Sequence, residues 1–355
     1  MLVDAVREAQ AEAWVLAPWG SREGLLERTR DLHLDVVHLQ WPEALLTASE
    51  RTRPDYMALM DVSRLLRELG RISTLALTCH NIHPHEPINR PFHKRLYEAV
   101  LSEAHTLVHH SSTGMSRFLE ELPEARLAAN RVVRHPPYRP SAVDSLERDA
   151  VREQVGMGGN RVWLLCIGNV APYKRYHTLL QALMETDATR FGVLLMGSPG
   201  PYSAYCHHLL GQMREFASSG GEVRVLLEWL EETQIDRALT ACDAVVACHD
   251  NSVITTGIPH LAEGHGRPVI GIGNEYLREI NRGHCMLCPS GRAEELRVLL
   301  SEISPEQLEE AAEKAADVAK RETPRALGRK LRAAYAAGVR GSEHAPSTDG
   351  SHGAR

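Results

Sequence analysis

Short apolar runs alternate with longer amphipathic stretches along most of this chain. The first five are AWVLAP (13–18), DVVHLQW (35–41), STLALTCH (73–80), HTLVHHS (105–111) and RVVRH (131–135). RVWLLCIG (161–168), FGVLLMG (191–197), EVRVLLEW (222–229), DAVVAC (243–248) and RPVIGIG (267–273) follow. Each is of strand length, and most are rich in Val, Ile and Leu without strict alternation. That is the pattern of strands covered on both faces in a parallel sheet. Between them, Tyr56 to Leu69 reads as a helix with Met57, Met60, Val62, Leu65, Leu66 and Leu69 on one apolar stripe. Arg95 to Glu103 and Met115 to Leu122 read the same way. Strand–helix alternation on this scale predicts doubly wound α/β architecture.

Proline, serine and charge cluster over residues 136–149, as in a linker, with five strand-like runs on either side. The predicted organisation is two Rossmann-like domains, 1–140 and 141–325, then a closing helix over 326–340 centred on Leu327 to Ala337. The last stretch, 341–355, has no large apolar residue and is predicted to be disordered. A domain of this type usually opens on a strand and a glycine-bearing loop. Here the sequence opens on a helical pattern, Val3 to Ala11, so that the first strand is absent or the start has been placed too late.

Composition narrows the functional classes. The chain has 355 residues, 43% of them hydrophobic and 24% charged, with a formal net charge of −6. That excludes a global nucleic-acid footprint, which would be basic. No run approaches the roughly 18 to 20 apolar residues of a membrane span. The N-terminus lacks a basic start followed by an apolar core, so a cytoplasmic location is expected. Peripheral contact with a membrane and the oligomeric state stay open. The 7 cysteines sit mostly in apolar runs, as buried thiols do. Cys285 and Cys288 form half of a zinc-like pair with no second pair at a suitable spacing, so no metal is expected there.

Two segments of the second half carry candidate chemistry. In LLCIGNVAPYKRYHTLLQAL (164–183), a strand ends at Gly168 and a loop with Pro172 and Lys174 leads into a helix. Ligands on parallel sheets bind beyond the carboxyl ends of the strands. Lys174 is therefore either a diphosphate ligand or a solvated loop lysine. In the second segment, Thr255, Thr256 and Gly257 precede a short helix, where they serve as an N-cap, an anion cradle or both. In the first half, Cys79, His80, His83, His85 and Glu86 form a dense polar cluster. Its spacing fits no closed metal site, and Pro84 interrupts it. His80, at a strand end, is the better candidate for acid–base work or phosphate contact.

These segments carry a resemblance. Gly168 to Leu183 resembles the lysine-bearing phosphate loop of GT-B glycosyltransferases, in particular glycosyltransferase family 4. Thr256-Gly257 through Gly266-Arg267-Pro268-Val269 resembles their "S-G … A … G-x-P-V-I" segment. Val37 to Pro42 is similar to "V-H-L-H-W-P", and Thr78 to Glu86 to "T-V-H-N-x-x-P-H-E", of bacterial enzymes of polysaccharide and secondary-metabolite assembly. The four segments occur in matching order from about Val15 to Leu300.

The resemblance implies two Rossmann-like domains facing across a cleft and sugar transfer from a nucleoside-diphosphate sugar to a hydroxyl or amine acceptor. It implies no metal and no cofactor beyond the donor itself. By position, Gly168, Asn169, Lys174, Arg175, Thr255, Thr256 and Gly257 would hold the diphosphate. Gly197, Trp229 and Leu230 would flank the base, though Trp229 reads equally as a core residue. His80 would reach the sugar or its phosphate, and Trp41, Asn81, His85 and Glu86 would form the acceptor side. The sequence departs from the family at Asn169, where an arginine is usual, and at Arg175, where glycine is usual. It departs again at Val253 and Leu261, which occupy the slots of two glutamates. These departures leave stereochemical outcome open. They also leave room for a non-catalytic partner protein or a sugar-nucleotide epimerase of the same fold.

Overall fold

The computed structural model describes residues 22–53, 55–82, 89–138 and 148–342. The expected opening helix, the apolar run at 13–18 and the segment with His83, His85 and Glu86 lie outside them. The chain divides into two compact units, residues 1–134 with 324–355, and residues 135–323.

In the first unit, β1 (Val36–Leu39), β2 (Thr74–Thr78), β3 (Thr106–His109) and β4 (Ala129–Val132) form a parallel sheet in that order. β4 starts two residues ahead of the expected 131–135, because its pairing with β3 begins at Ala129 opposite Thr106. Helices Tyr56–Ile72, Arg90–Glu103 and Ser112–Glu121 make the crossovers. The helix Pro324–Ser342 returns to this unit. Its Leu327, Leu331 and Ala334 bury against Val108 and Val133, and Thr106 Oγ1 donates to Ala334 O at 3.2 Å.

The Tyr56–Ile72 helix starts where Asp55 accepts from Met57 N and Ala58 N. It buries Ala58, Leu59, Val62, Leu65, Leu66 and Leu69. Met57 and Met60, expected on this stripe, are 66% and 58% exposed. At 3.6 residues per turn, positions 58, 62, 65, 66 and 69 define the inward face, and 57 and 60 fall on the opposite side.

The second unit holds a six-stranded parallel sheet in the order β10-β9-β8-β5-β6-β7. The strands are β5 (Val162–Ile167), β6 (Phe191–Met196), β7 (Glu222–Leu226), β8 (Ala244–Ala247), β9 (Val269–Ile272) and β10 (Cys285–Cys288). β10 is the stretch whose cysteines suggested half a metal site. It pairs with β9, both thiols are buried, and no metal-binding group occurs among the described residues. Side chains alternate between two cores. Leu164, Cys166, Val193, Leu195, Val246 and Ile270 face one, and Trp163, Leu165, Ile167, Leu194, Val245 and Val269 face the other. Double coverage explains the continuous apolar runs of the sequence.

This topology fixes where a ligand belongs. β5, the first strand of the unit, has β6 on one side and β8 on the other, so the winding reverses between β5 and β8. Ligands of such sheets sit beyond the carboxyl ends of the strands at that switch point. Pairing of β5 with β6 runs from Val162 to Ile167, whereas pairing of β5 with β8 covers only Leu164 and Leu165.

The helix assignment is checked by urea unfolding of two variants. Leu66→Ala is expected to cost about 2–5 kcal/mol, and Met60→Ala to stay within about 0.5 kcal/mol of the parent.

Candidate functional site

Beyond β5 the chain turns at Gly168, whose φ is +92°, and then makes a short 3-10 turn over Pro172–Lys174. Lys174 is 5% exposed, so it is not a solvated loop lysine. Its Nζ donates to Ile167 O at 2.7 Å, the carbonyl that also accepts from Tyr176 Oη at 2.9 Å. Burial pulls its pKa down to about 8, and no carboxylate acts on it. The ammonium is thus desolvated at the switch point, with one neutral oxygen as hydrogen-bond partner and the Tyr176 ring centroid 5.9 Å away.

The approach needs glycine. A Cβ at Gly168 would lie 2.6 Å from Lys174 Nζ. Gly197, at the end of β6 with φ +135°, leaves room for Gly168, since a Cβ there would stand 2.2 Å from Gly168 O. The two strand exits are laced by Gly168 N to Met196 O (3.0 Å) and Val170 N to Ser198 O (2.8 Å). Asn169 is exposed between them.

Arg175 has φ +52° and ψ 35°, the left-handed region that favours glycine. Glycine is the residue usual at this place in the enzymes that the segment resembles. Its guanidinium donates to Gly291 O at 2.6 Å. The side chain therefore ties the loop to the segment after β10.

Across the switch point, β8 runs out into His249, a residue that motif reading missed. His249 is buried, its ring centroid lies 5.8 Å from that of Tyr173, and its carbonyl accepts from Asn274 Nδ2 at 3.1 Å. The signal was its place directly after a buried strand on the reversal side. Thr256 Oγ1 lies 3.5 Å from His249 Nε2 and accepts from Ile258 N at 3.4 Å. Thr255 Oγ1 is buried with no hydrogen-bond partner. Helix Ile258–Gly264 begins here, with Gly257 as its N-cap.

That helix is anchored from beneath by a buried polar chain. Glu263 Oε2 lies 2.8 Å from His260 Nδ1, and Glu263 Oε1 3.0 Å from His284 Nε2. His260 Nε2 is 2.6 Å from Tyr276 Oη, and its ring stacks on His135 with centroids 4.6 Å apart. Glu263 is committed to this network and is fully buried, so it does not replace the absent glutamates. Val253 is buried and Leu261 packs against the core. The base-side candidates divide. Leu230 packs against the core, while Trp229 is 80% exposed, which rules out the core reading.

The first unit gathers a second set at its own strand ends. His80 follows β2. Its Nε2 is 3.0 Å from Gln40 Oε1, its ring stacks on Trp41 (4.6 Å, 17°), and His110 is 5.3 Å away. Burial drives the His80 pKa down to about 4. Asn81 is buried beside it and Trp41 is half exposed. His38, also overlooked in the sequence, bridges Tyr335 Oη and Thr78 Oγ1 at 2.8 Å each and is likewise pushed down to about 4 by burial.

No protein-family model matches the chain. It is 27% identical over 267 residues to a GDP-mannose:glycolipid 4-beta-D-mannosyltransferase of Xanthomonas campestris pv. campestris. That match covers 72% of this chain and 64% of the relative. A second protein of that name and organism is 26% identical over 263 residues. The chain thus spans just under two thirds of the length of these curated relatives. Among solved structures, Anabaena HepE in complex with UDP and glucose superposes with a TM-score of 0.67 at 16% identity, over 91% of this chain and 85% of that one. Sucrose-phosphate synthase from Thermosynechococcus elongatus gives 0.66 at 13% identity, over 91% and 80%. The chain has the two-unit α/β fold of the GT-B glycosyltransferases, and its sequence is similar to that of mannosyltransferases.

Proposed function

We propose that the chain transfers a sugar from a nucleoside-diphosphate sugar to a hydroxyl acceptor, with Lys174 meeting the diphosphate. The observation that carries this reading is the buried Lys174 ammonium at the reversal of the sheet, held by the Ile167 carbonyl and the face of Tyr176 with no carboxylate beside it. An incoming phosphate would give it the counter-charge it lacks. Thr255 Oγ1, buried and unpartnered, and the backbone amides from Thr255 to Gly257 would bind further oxygens. Gly168 and Asn169 would line the approach, Gly197 would keep it open, and Trp229 would meet the base. The sequence similarity favours GDP-mannose as donor and a glycolipid as acceptor.

The chemical difficulty is charge on the departing diphosphate. Lys174 and the helix-start amides supply fixed positive charge there, so the transfer needs no metal. On the first unit, His80 is uncharged at neutral pH. Its contact with Gln40 Oε1 places the ring proton on Nε2 and leaves the Nδ1 lone pair to accept a hydroxyl proton. Trp41 and Asn81 would orient the acceptor beside it, together with His85 and Glu86.

Three measurements check this reading. In calorimetric titration, GDP is expected to bind, and Lys174→Ala to weaken it by about 2 kcal/mol, roughly thirtyfold. No binding of any nucleoside diphosphate, or an unchanged affinity in the variant, contradicts the reading. The second measurement is the pH profile. The free ammonium loses its proton as pH rises through about 8. kcat/KM should therefore fall above that pH while kcat, which reports the donor-bound enzyme, stays level. Lys174→Arg, which keeps its charge, should remove the alkaline fall. Third, GDP-mannose turnover should be unchanged by EDTA, and a loss that magnesium restores would contradict metal-independent transfer.

A further inference from the structure

The outward side of the Tyr56–Ile72 helix has no role in the site described above, yet its surface is unusual. Tyr56, Met57 and Met60 stand exposed in succession along it. Beside them a groove of about 490 Å³ is lined by Tyr56, Met60, Arg64, Arg67 and Arg95. Arg95, from helix Arg90–Glu103, lies with its guanidinium carbon 5.3 Å from the Tyr56 ring centroid. Across the two helices the exposed charged side chains are Arg64, Arg67, Arg71, Arg90, Lys94 and Arg95, against one exposed acid, Asp61, with Glu68, Glu98 and Glu103 half-buried. This excess of cations lies on a chain whose net charge is −6.

The acids of the two helices, Asp61, Glu68, Glu98 and Glu103, offset this charge only in part. Arg64 is 3.8 Å from Asp61 and Arg67 is 3.7 Å from Glu103, both longer than a hydrogen bond. The two guanidinium groups keep these loose pairs while remaining mostly exposed, so that another anion can reach them.

We propose that this face docks the protein on an anionic lipid surface. The arginines would meet lipid phosphates, and Tyr56, Met57 and Met60 would enter the zone between headgroups and acyl chains. The chemistry fits an interfacial helix, with cations reaching outward from a body that presents apolar side chains between them. A second copy of the chain is a poor occupant, because two such faces would bring like charges together. A purely apolar partner would leave the arginines without counter-charges.

The test is co-sedimentation with vesicles of phosphatidylcholine, with and without phosphatidylglycerol. The full chain is expected to pellet with the anionic vesicles, less so in high salt, and not with phosphatidylcholine alone. The triple variant R64Q/R67Q/R95Q should lower the affinity at least about tenfold. The variant M57S/M60S should lower it as well, and both should melt at the parent temperature, since every substituted side chain is exposed. Failure to bind anionic vesicles overturns the proposal, as does parental binding by either variant. A concentration-dependent dimer that M57S/M60S abolishes would assign the face to a second copy instead.

Discussion

Lys174 carries a charge that has been taken out of water and given one carbonyl oxygen in return. Burying an ammonium is unfavourable, and its lowered pKa records that penalty. The surrounding structure is what keeps it there. Gly168 leaves space for the ammonium, Gly197 leaves space for Gly168, and the lacing between the ends of β5 and β6 holds both in register. On the other side of the reversal, β8 delivers His249 and the Thr255–Gly257 turn, and the Glu263 network fastens the following helix into the core. Each of these arrangements follows from parallel strands that end together and part at one point.

The two units supply different chemistry at their strand ends. The second unit offers fixed positive charge and unpaired donors, suited to an anion. The first offers imidazoles whose charge burial has suppressed, set beside an indole face. That division matches the needs of glycosyl transfer, in which one reactant departs as a diphosphate and the other gives up a proton. The places where the sequence differs from the enzymes it resembles also acquire physical meaning. Arg175 keeps the left-handed backbone of a glycine and uses its side chain to secure the loop. Val253 is buried and Leu261 packs against the core, so neither place presents a polar group.

Much of this was legible in the sequence, for identifiable reasons. Strands buried on both faces write themselves as unbroken apolar runs, so β1 to β3 and β5 to β9 were found near their places. β10 was not, because Cys-Met-Leu-Cys is only four residues long and its cysteines were weighed as half a zinc-like pair, not as a strand. The Tyr56–Ile72 helix was found but its face was misjudged at Met57 and Met60, since apolar character alone does not say which side of a helix is covered. Lys174 was singled out by position, yet its burial, which separates it from a surface lysine, depends on glycines 6 and 29 residues distant from it and from Gly168. His249 belongs to no motif, and His38 lies inside the Val37–Pro42 motif but was given no role there. They become visible only when the strand order shows which strand ends are neighbours.

The most direct test is the pKa of Lys174 itself, followed by NMR of its labelled side chain with and without GDP. The account predicts a value near 8 in the free protein and a marked rise once a diphosphate supplies the missing counter-charge. An ordinary lysine value in the free protein, or one that GDP leaves unmoved, would contradict it.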